Sequence, residues 1–122
     1  EHYKPIYIIS LVKNKHFTYK NHVTHFDIPI SDNQFENITK SSQNVLKVIS
    51  KNTKNESRNI IIHCNKGMSR SVSFTIMLLM ERNGLSFDDA FNRVKKYRKQ
   101  ADPNPAFIEQ IKEWHKQLLY DK

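Results

Sequence analysis

The stretch Ile60–Ser73, IIIHCNKGMSRSVS, holds the chain's single cysteine, Cys64, and one of its two glycines, Gly67. Arg70 follows six residues after the cysteine. Three isoleucines lead in and an apolar segment leads out, which reads as strand, tight loop, helix. A loop entering a helix N-terminus points unpaired backbone N–H groups at one spot. The helix dipole adds to that field, and together they make an anion site. The same field lowers a thiol pKa from about 8.5 toward roughly 4–7, so Cys64 is expected as a thiolate near neutral pH. Arg70 adds a permanently charged planar fork suited to gripping two phosphate oxygens. Gly67 permits a backbone geometry, or a close approach, that a side chain would block. The plainer alternative is a buried, inert cysteine at a strand end. It accounts for neither the arginine nor the glycine.

Outward from this loop the chain alternates strands and helices. Pro5–Val12 (PIYIISLV) is rich in β-branched residues and predicts a buried strand. Lys13–Asn21 is a polar connection, and His22–Ile28 (HVTHFDI) alternates as a second strand. Pro29–Asn33 (PISDN) is a turn. Phe35, Ile38, Val45, Leu46, Val48 and Ile49 then recur at helical spacing, predicting a helix over Phe35–Ile49. A polar loop, Asn52–Asn59, leads to a short apolar strand, Asn59–His63.

After the cysteine loop, Ser71–Asn83 is apolar nearly all round, the signature of a central helix covered on most sides. Asn83-Gly84 ends it. Ser86–Asp89 (SFDD) opens the next helix with a capping-box-like pattern and carries it to about Arg98. Asn104 as N-cap and Pro105 at the first helical position start the last helix, with Phe107, Ile108, Ile111, Trp114 and Leu118 on its buried face. The expected fold is α/β: a single domain with a small, mostly parallel central sheet flanked by helices. Three strands are few for such a sheet, so a further strand or hairpin is expected before Glu1, or as a short unread one.

The 122 residues and 38% hydrophobic content suit one core that folds without disulfides. A lone cysteine forms no internal disulfide, which points to a reducing compartment. No window approaches the ~18 apolar residues of a membrane span. The N-terminus EHYKPIYIIS lacks signal-peptide features, so cytosol or nucleus is expected. The net charge of +8 favours anionic partners. The lysines are scattered, from Lys13 and Lys20 to Lys95 and Lys116, with no aromatic-interleaved basic module, which argues against nucleic acid.

HCNKGMSRS resembles the signature loop of the cysteine-dependent protein phosphatases, His-Cys-x5-Arg-Ser/Thr. Ser69 before Arg70, and the segment SVSFTIMLLMERNGLSFDDAFNRVKKYR, are similar to the dual-specificity branch. DPNPAFIEQI resembles that family's Pro-Asn-x-x-Phe segment, and the likeness covers about Pro5 to Leu118. The resemblance implies a phosphate monoester hydrolase acting on phosphotyrosine and phosphoserine/threonine in proteins. It implies Cys64 as the nucleophile that forms a cysteinyl-phosphate. Arg70 and the loop residues Asn65, Lys66, Gly67, Met68 and Ser69 would bind the phosphoryl oxygens. Ser71 would stabilise the departing thiolate, and His63 would orient the loop, nearly the same role as a satisfied core histidine.

The family places its general acid after a segment like IPI, which is Asp32 here. Asp32 could instead only cap the following helix, and Asp27 is the weaker candidate because a strand would fix it. Asn104 would brace the signature loop, act as a plain N-cap, or both. Lys66 stands where relatives often have a small residue. It would either add potential for polyanions or simply face solvent. No cofactor or metal is implied. His22 and His25 fall on opposite strand faces, which is poor geometry for sharing an ion. A monomer is expected, with a phosphorylated protein as partner. The alternatives are a phosphatase for phosphoinositides or RNA 5′-phosphates, and a non-catalytic phosphate-binding module.

Overall fold

The computed structural model describes residues 6–12, 23–53, 59–65 and 68–120. Three strands form one parallel sheet: β1 (Ile6–Ser10), β2 (Val23–Asp27) and β3 (Asn59–His63). Their order is β2-β1-β3, so β1 is central and the chain crosses over it between β2 and β3. The register pairs Ser10 with Asp27 on one side and with His63 on the other. All three strands therefore end at one edge of the sheet. The segments that follow β2 and β3 emerge there together, on either side of β1. In open α/β sheets this switch point is where ligands bind.

Strand alternation divides the sheet into two faces. Tyr7 and Ile9 share one face with Phe26, Ile60 and Ile62; the first two lie in the main core, and the other three are partly buried against it. Ile8 and Ser10 share the other with His25, Asp27, Ile61 and His63.

Four helices follow: α1 (Ile38–Thr53), α2 (Arg70–Asn83), α3 (Phe87–Tyr97) and α4 (Pro105–Tyr120). The all-round apolar helix is central as expected, because α2 packs on α1, α3, α4 and β3. Phe74, Ile76 and Met77 on it are fully buried. α3 buries Phe87, Ala90 and Val94 at helical spacing, and α4 buries Phe107 and Ile111. Ile108, Trp114 and Leu118 on α4 are only half-buried.

The expected helix over Phe35–Ile49 is displaced. It starts at Ile38 and runs to Thr53, and Phe35 is 85% exposed. The cause is local: Asn33 Oδ1 accepts the N–H groups of Phe35 at 2.9 Å and Glu36 at 3.1 Å. That turn consumes the residues before Ile38. Ile38 then gains its own cap from another helix. Gln110 on α4 accepts the Ile38 N–H at 2.8 Å and donates to the Glu36 carbonyl at 2.8 Å.

The end of α2 and the start of α3 follow the expected chemistry. Gly84 closes α2 at φ 68°, and its N–H bonds the Met80 carbonyl at 3.0 Å. Ser86 caps α3 by accepting the Asp89 N–H at 3.2 Å. No helix among the described residues is long and apolar enough to cross a membrane.

Candidate active site

β3 delivers His63 and Cys64 to the C-terminal edge of the sheet, and α2 begins at Arg70. The N-terminus of α2 is capped in an unusual way. Ser69 occupies the N-cap position, but its hydroxyl makes no capping bond to the helix. The N–H of Ser71, two residues into the helix, instead reaches the Cys64 sulfur at 3.4 Å. The sulfur also lies 3.3 Å from Ser71 Oγ. The cysteine thus fills the place that a capping oxygen normally takes. A negative sulfur there meets an N–H dipole, a hydroxyl and the positive end of a fourteen-residue helix.

The Ser69 hydroxyl faces the opposite way. It donates to Asp32 Oδ1 at 2.9 Å and accepts the Asn104 N–H at 2.8 Å. Asn104 Nδ2 donates to the same Asp32 oxygen at 3.2 Å. Asn104 Oδ1 accepts the Ala106 N–H at 2.9 Å, so one side chain both caps α4 and touches the Asp32 turn. A further backbone bond, Asp102 N–H to the Met68 carbonyl at 2.7 Å, ties the α3–α4 connection to the loop. Arg70 is half-buried, and its Nη1 donates to the Ile30 carbonyl at 2.9 Å. That bond uses one of the guanidinium's five N–H donors and holds it beside the Asp32 turn.

These bonds enclose a cleft of about 360 Å³ lined by Cys64, Asn65, Met68, Ser69 and Arg70, with Asp32 and Asp102 on its wall. A second cavity of about 340 Å³ lies against the other side of Cys64 and includes His63, Ser71, Thr75, Val94 and Arg98. The structure thus brings Asp32, Cys64, Asn65, Met68, Ser69, Arg70, Ser71 and Asn104 together. His63 sits beside the cysteine, with its Nε2 2.6 Å from Ser10 Oγ. Lys66 and Gly67 lie outside the described residues, as does His22. Asp27 ends β2 and lines neither cavity; its Oδ1 lies 3.6 Å from His25 Nε2.

Four contributors escape the sequence pattern. Asp102 stands in the DPNPAF segment but carried no signal of its own. The Ile30 carbonyl is backbone, which no residue pattern reveals. Ser10 reads as an ordinary strand residue, and His25 stands out only as a poor metal partner for His22.

The full sequence matches the family model described as dual specificity phosphatase, catalytic domain, over residues 4–117. It is 41% identical to dual specificity protein phosphatase 1B of Arabidopsis thaliana over 59 residues, 48% of this chain and 35% of that protein. It is 31% identical to human dual specificity protein phosphatase 9 over 118 residues, 95% of this chain and 30% of that protein. The chain thus spans about a third of the length of these relatives. Its fold is similar to human DUSP28, with a TM-score of 0.87 at 21% identity, covering 98% of this chain and 82% of that one. It is also similar to the human tyrosine phosphatase-like serine/threonine/tyrosine-interacting protein, with a TM-score of 0.81 at 26% identity, covering 95% of this chain and 79% of that one. With nearly all of its length matched, the chain belongs to the dual specificity phosphatase catalytic-domain family.

Proposed function

We propose that this domain hydrolyses phosphate monoesters on phosphotyrosine and phosphoserine/threonine in proteins through a cysteinyl-phosphate. The observation that carries the reading is the Cys64 sulfur against the first turn of α2, 3.4 Å from the Ser71 nitrogen, in one cleft with Arg70 and Asp32. That position favours the thiolate, the nucleophilic form.

In the first step the Cys64 sulfur attacks phosphorus and the ester oxygen leaves. Arg70 and the N–H groups of the loop hold the equatorial oxygens as charge spreads over them. Asp32, in its acid form, delivers a proton to the leaving oxygen. In the second step the Asp32 carboxylate takes a proton from water as that water attacks phosphorus. The sulfur departs as thiolate, and Ser71 Oγ at 3.3 Å donates a hydrogen bond to it. Ser69 and Asn104 hold Asp32 against the loop throughout. A phosphorylated protein is the partner that this chemistry and the family support.

The test is turnover of phosphotyrosyl and phosphothreonyl peptides, phosphoinositides and triphosphorylated RNA, with Cys64→Ser as the blank. Peptide turnover that Cys64→Ser abolishes, while a phosphopeptide still binds, supports the reading. Turnover confined to lipid or RNA would replace the substrate. Binding without turnover in the wild-type chain would make it a phosphate-binding module. Turnover by Cys64→Ser near the wild-type level would remove the nucleophile.

A further inference from the structure

Ser10 ends the central strand and is completely buried. Its register partners are Asp27 on β2 and His63 on β3. His25, two residues before Asp27, shares their sheet face. The Ser10 hydroxyl therefore stands between two imidazoles, with His63 Nε2 at 2.6 Å and His25 Nε2 at 3.0 Å. Asp27 Oδ1 lies 3.6 Å from the same His25 nitrogen.

Counting protons orders this chain of contacts. A serine hydroxyl has one proton and donates to only one of two imidazoles, so the other must donate to it. A bare lone pair on His25 Nε2 would face the Asp27 carboxylate, whereas a proton there is attracted to it. His25 Nε2 therefore carries the proton and donates to Ser10 Oγ, and 3.0 Å is an ordinary N–H···O separation. Ser10 then donates to His63 Nε2, and the shorter 2.6 Å contact suits a hydroxyl donor. A neutral imidazole that accepts at Nε2 carries its own proton on Nδ1.

We propose that Asp27, His25 and Ser10 form a positioning relay that fixes the tautomer and ring orientation of His63, and through it the backbone that carries Cys64. The proposal rests on the reading of Cys64 as nucleophile. His63 is joined directly to Cys64, and β1 holds it at two points. Its ring is held by Ser10, and its carbonyl accepts the Leu11 N–H at 3.0 Å. The sulfur is thus registered from the strand side by β1 and from the helix side by Ser71. None of the three relay residues touches the substrate cleft, so their effect falls on the chemical step and not on substrate binding.

The test combines ¹⁵N NMR of the His63 ring with steady-state kinetics on wild type, Ser10→Ala, His25→Phe and His25→Gln. Nδ1-protonated His63 is expected in wild type, and mixed tautomers in Ser10→Ala and His25→Phe. In those two variants kcat falls roughly 3- to 10-fold, the scale of one hydrogen bond, with KM unchanged. His25→Gln retains an N–H for Ser10 and restores both readouts. An Nε2-protonated His63 in wild type overturns the relay, as does an unchanged kcat in His25→Phe. If Ser10→Ala fails to fold, the two His25 variants decide between these outcomes. Wild-type protein without turnover would remove the nucleophile reading, while the NMR signature would still decide the tautomer.

Discussion

Ser69 Oγ lies 2.9 Å from Asp32 Oδ1 and 2.8 Å from the Asn104 backbone nitrogen, donating to the first and accepting from the second. One hydroxyl thus joins the cysteine loop, the Asp32 turn and the start of α4. Ser69→Ala removes both bonds and strands the part-buried Asn104 N–H. A stability loss of about 1–3 kcal/mol is expected from that orphaned donor. Turnover of an alkyl phosphate should fall more than turnover of a nitrophenyl ester, since only the former needs a well-placed acid. Thermal unfolding and the two kcat values check this, and equal losses on both esters would leave Ser69 a structural role alone.

Asp32→Asn tests the proposed acid role directly. The amide keeps the turn's size and still accepts hydrogen bonds from Ser69 and Asn104. It cannot supply a proton. Loss of kcat on an alkyl phosphate of roughly 10²-fold or more is expected, the usual scale of general acid catalysis. A nitrophenyl ester, whose leaving group needs little help, should lose much less. Similar losses on both would move the acid role elsewhere, with Asp27→Asn measured next.

Asn104 does two jobs that substitution can separate. Its Oδ1 caps α4 at 2.9 Å, and its Nδ2 reaches Asp32 at 3.2 Å. Asn104→Ser keeps a good N-cap and loses the amide donor, so stability should hold while alkyl-phosphate turnover drops. Asn104→Ala loses both, with about 1 kcal/mol of additional destabilisation. Denaturant unfolding of the two variants, set beside their kcat, separates the roles. Identical unfolding midpoints would show that the cap contributes nothing.

Gly84 closes α2 in the left-handed region at φ 68°, and no atom stands within 4 Å of the position its Cβ would take. Gly84→Ala therefore meets no clash and pays only the backbone penalty, about 1–2 kcal/mol. Gly84→Asn should cost less, because asparagine tolerates this region. Chemical denaturation should show the order Gly, Asn, Ala in falling stability with kcat unaffected. The opposite order would mean that α2 ends differently in solution.

Much of this molecule could be read in order along the chain. The strand Asn59–His63, the covered helix behind the cysteine, and the Gly84, Ser86 and Asn104 helix ends all depend on residues within a few positions of one another. Hydrophobic period and capping chemistry are local, so sequence expresses them directly. Phe35 shows the limit of that reading. Its spacing fits the apolar stripe of α1, but the Asn33 turn and the Gln110 side chain from α4 start the helix at Ile38 and leave Phe35 in solvent. The Asn33 turn is local, but the Gln110 contact comes from 72 residues away, and periodicity expresses neither.

The site divides along the same line. By itself the sequence determined the candidate loop: cysteine, glycine and arginine at a spacing that places a sulfur before a helix and an arginine on its first turn. What surrounds that loop was decided only when β2, β1 and β3 lay parallel in register. Parallel pairing puts strand ends, and whatever follows them, at one edge. That sets Asp32 against Ser69 across 37 residues and His63 against Ser10 across 53. Those separations carry no periodic signal, because their partners meet through the order of strands in the sheet rather than through spacing along the chain.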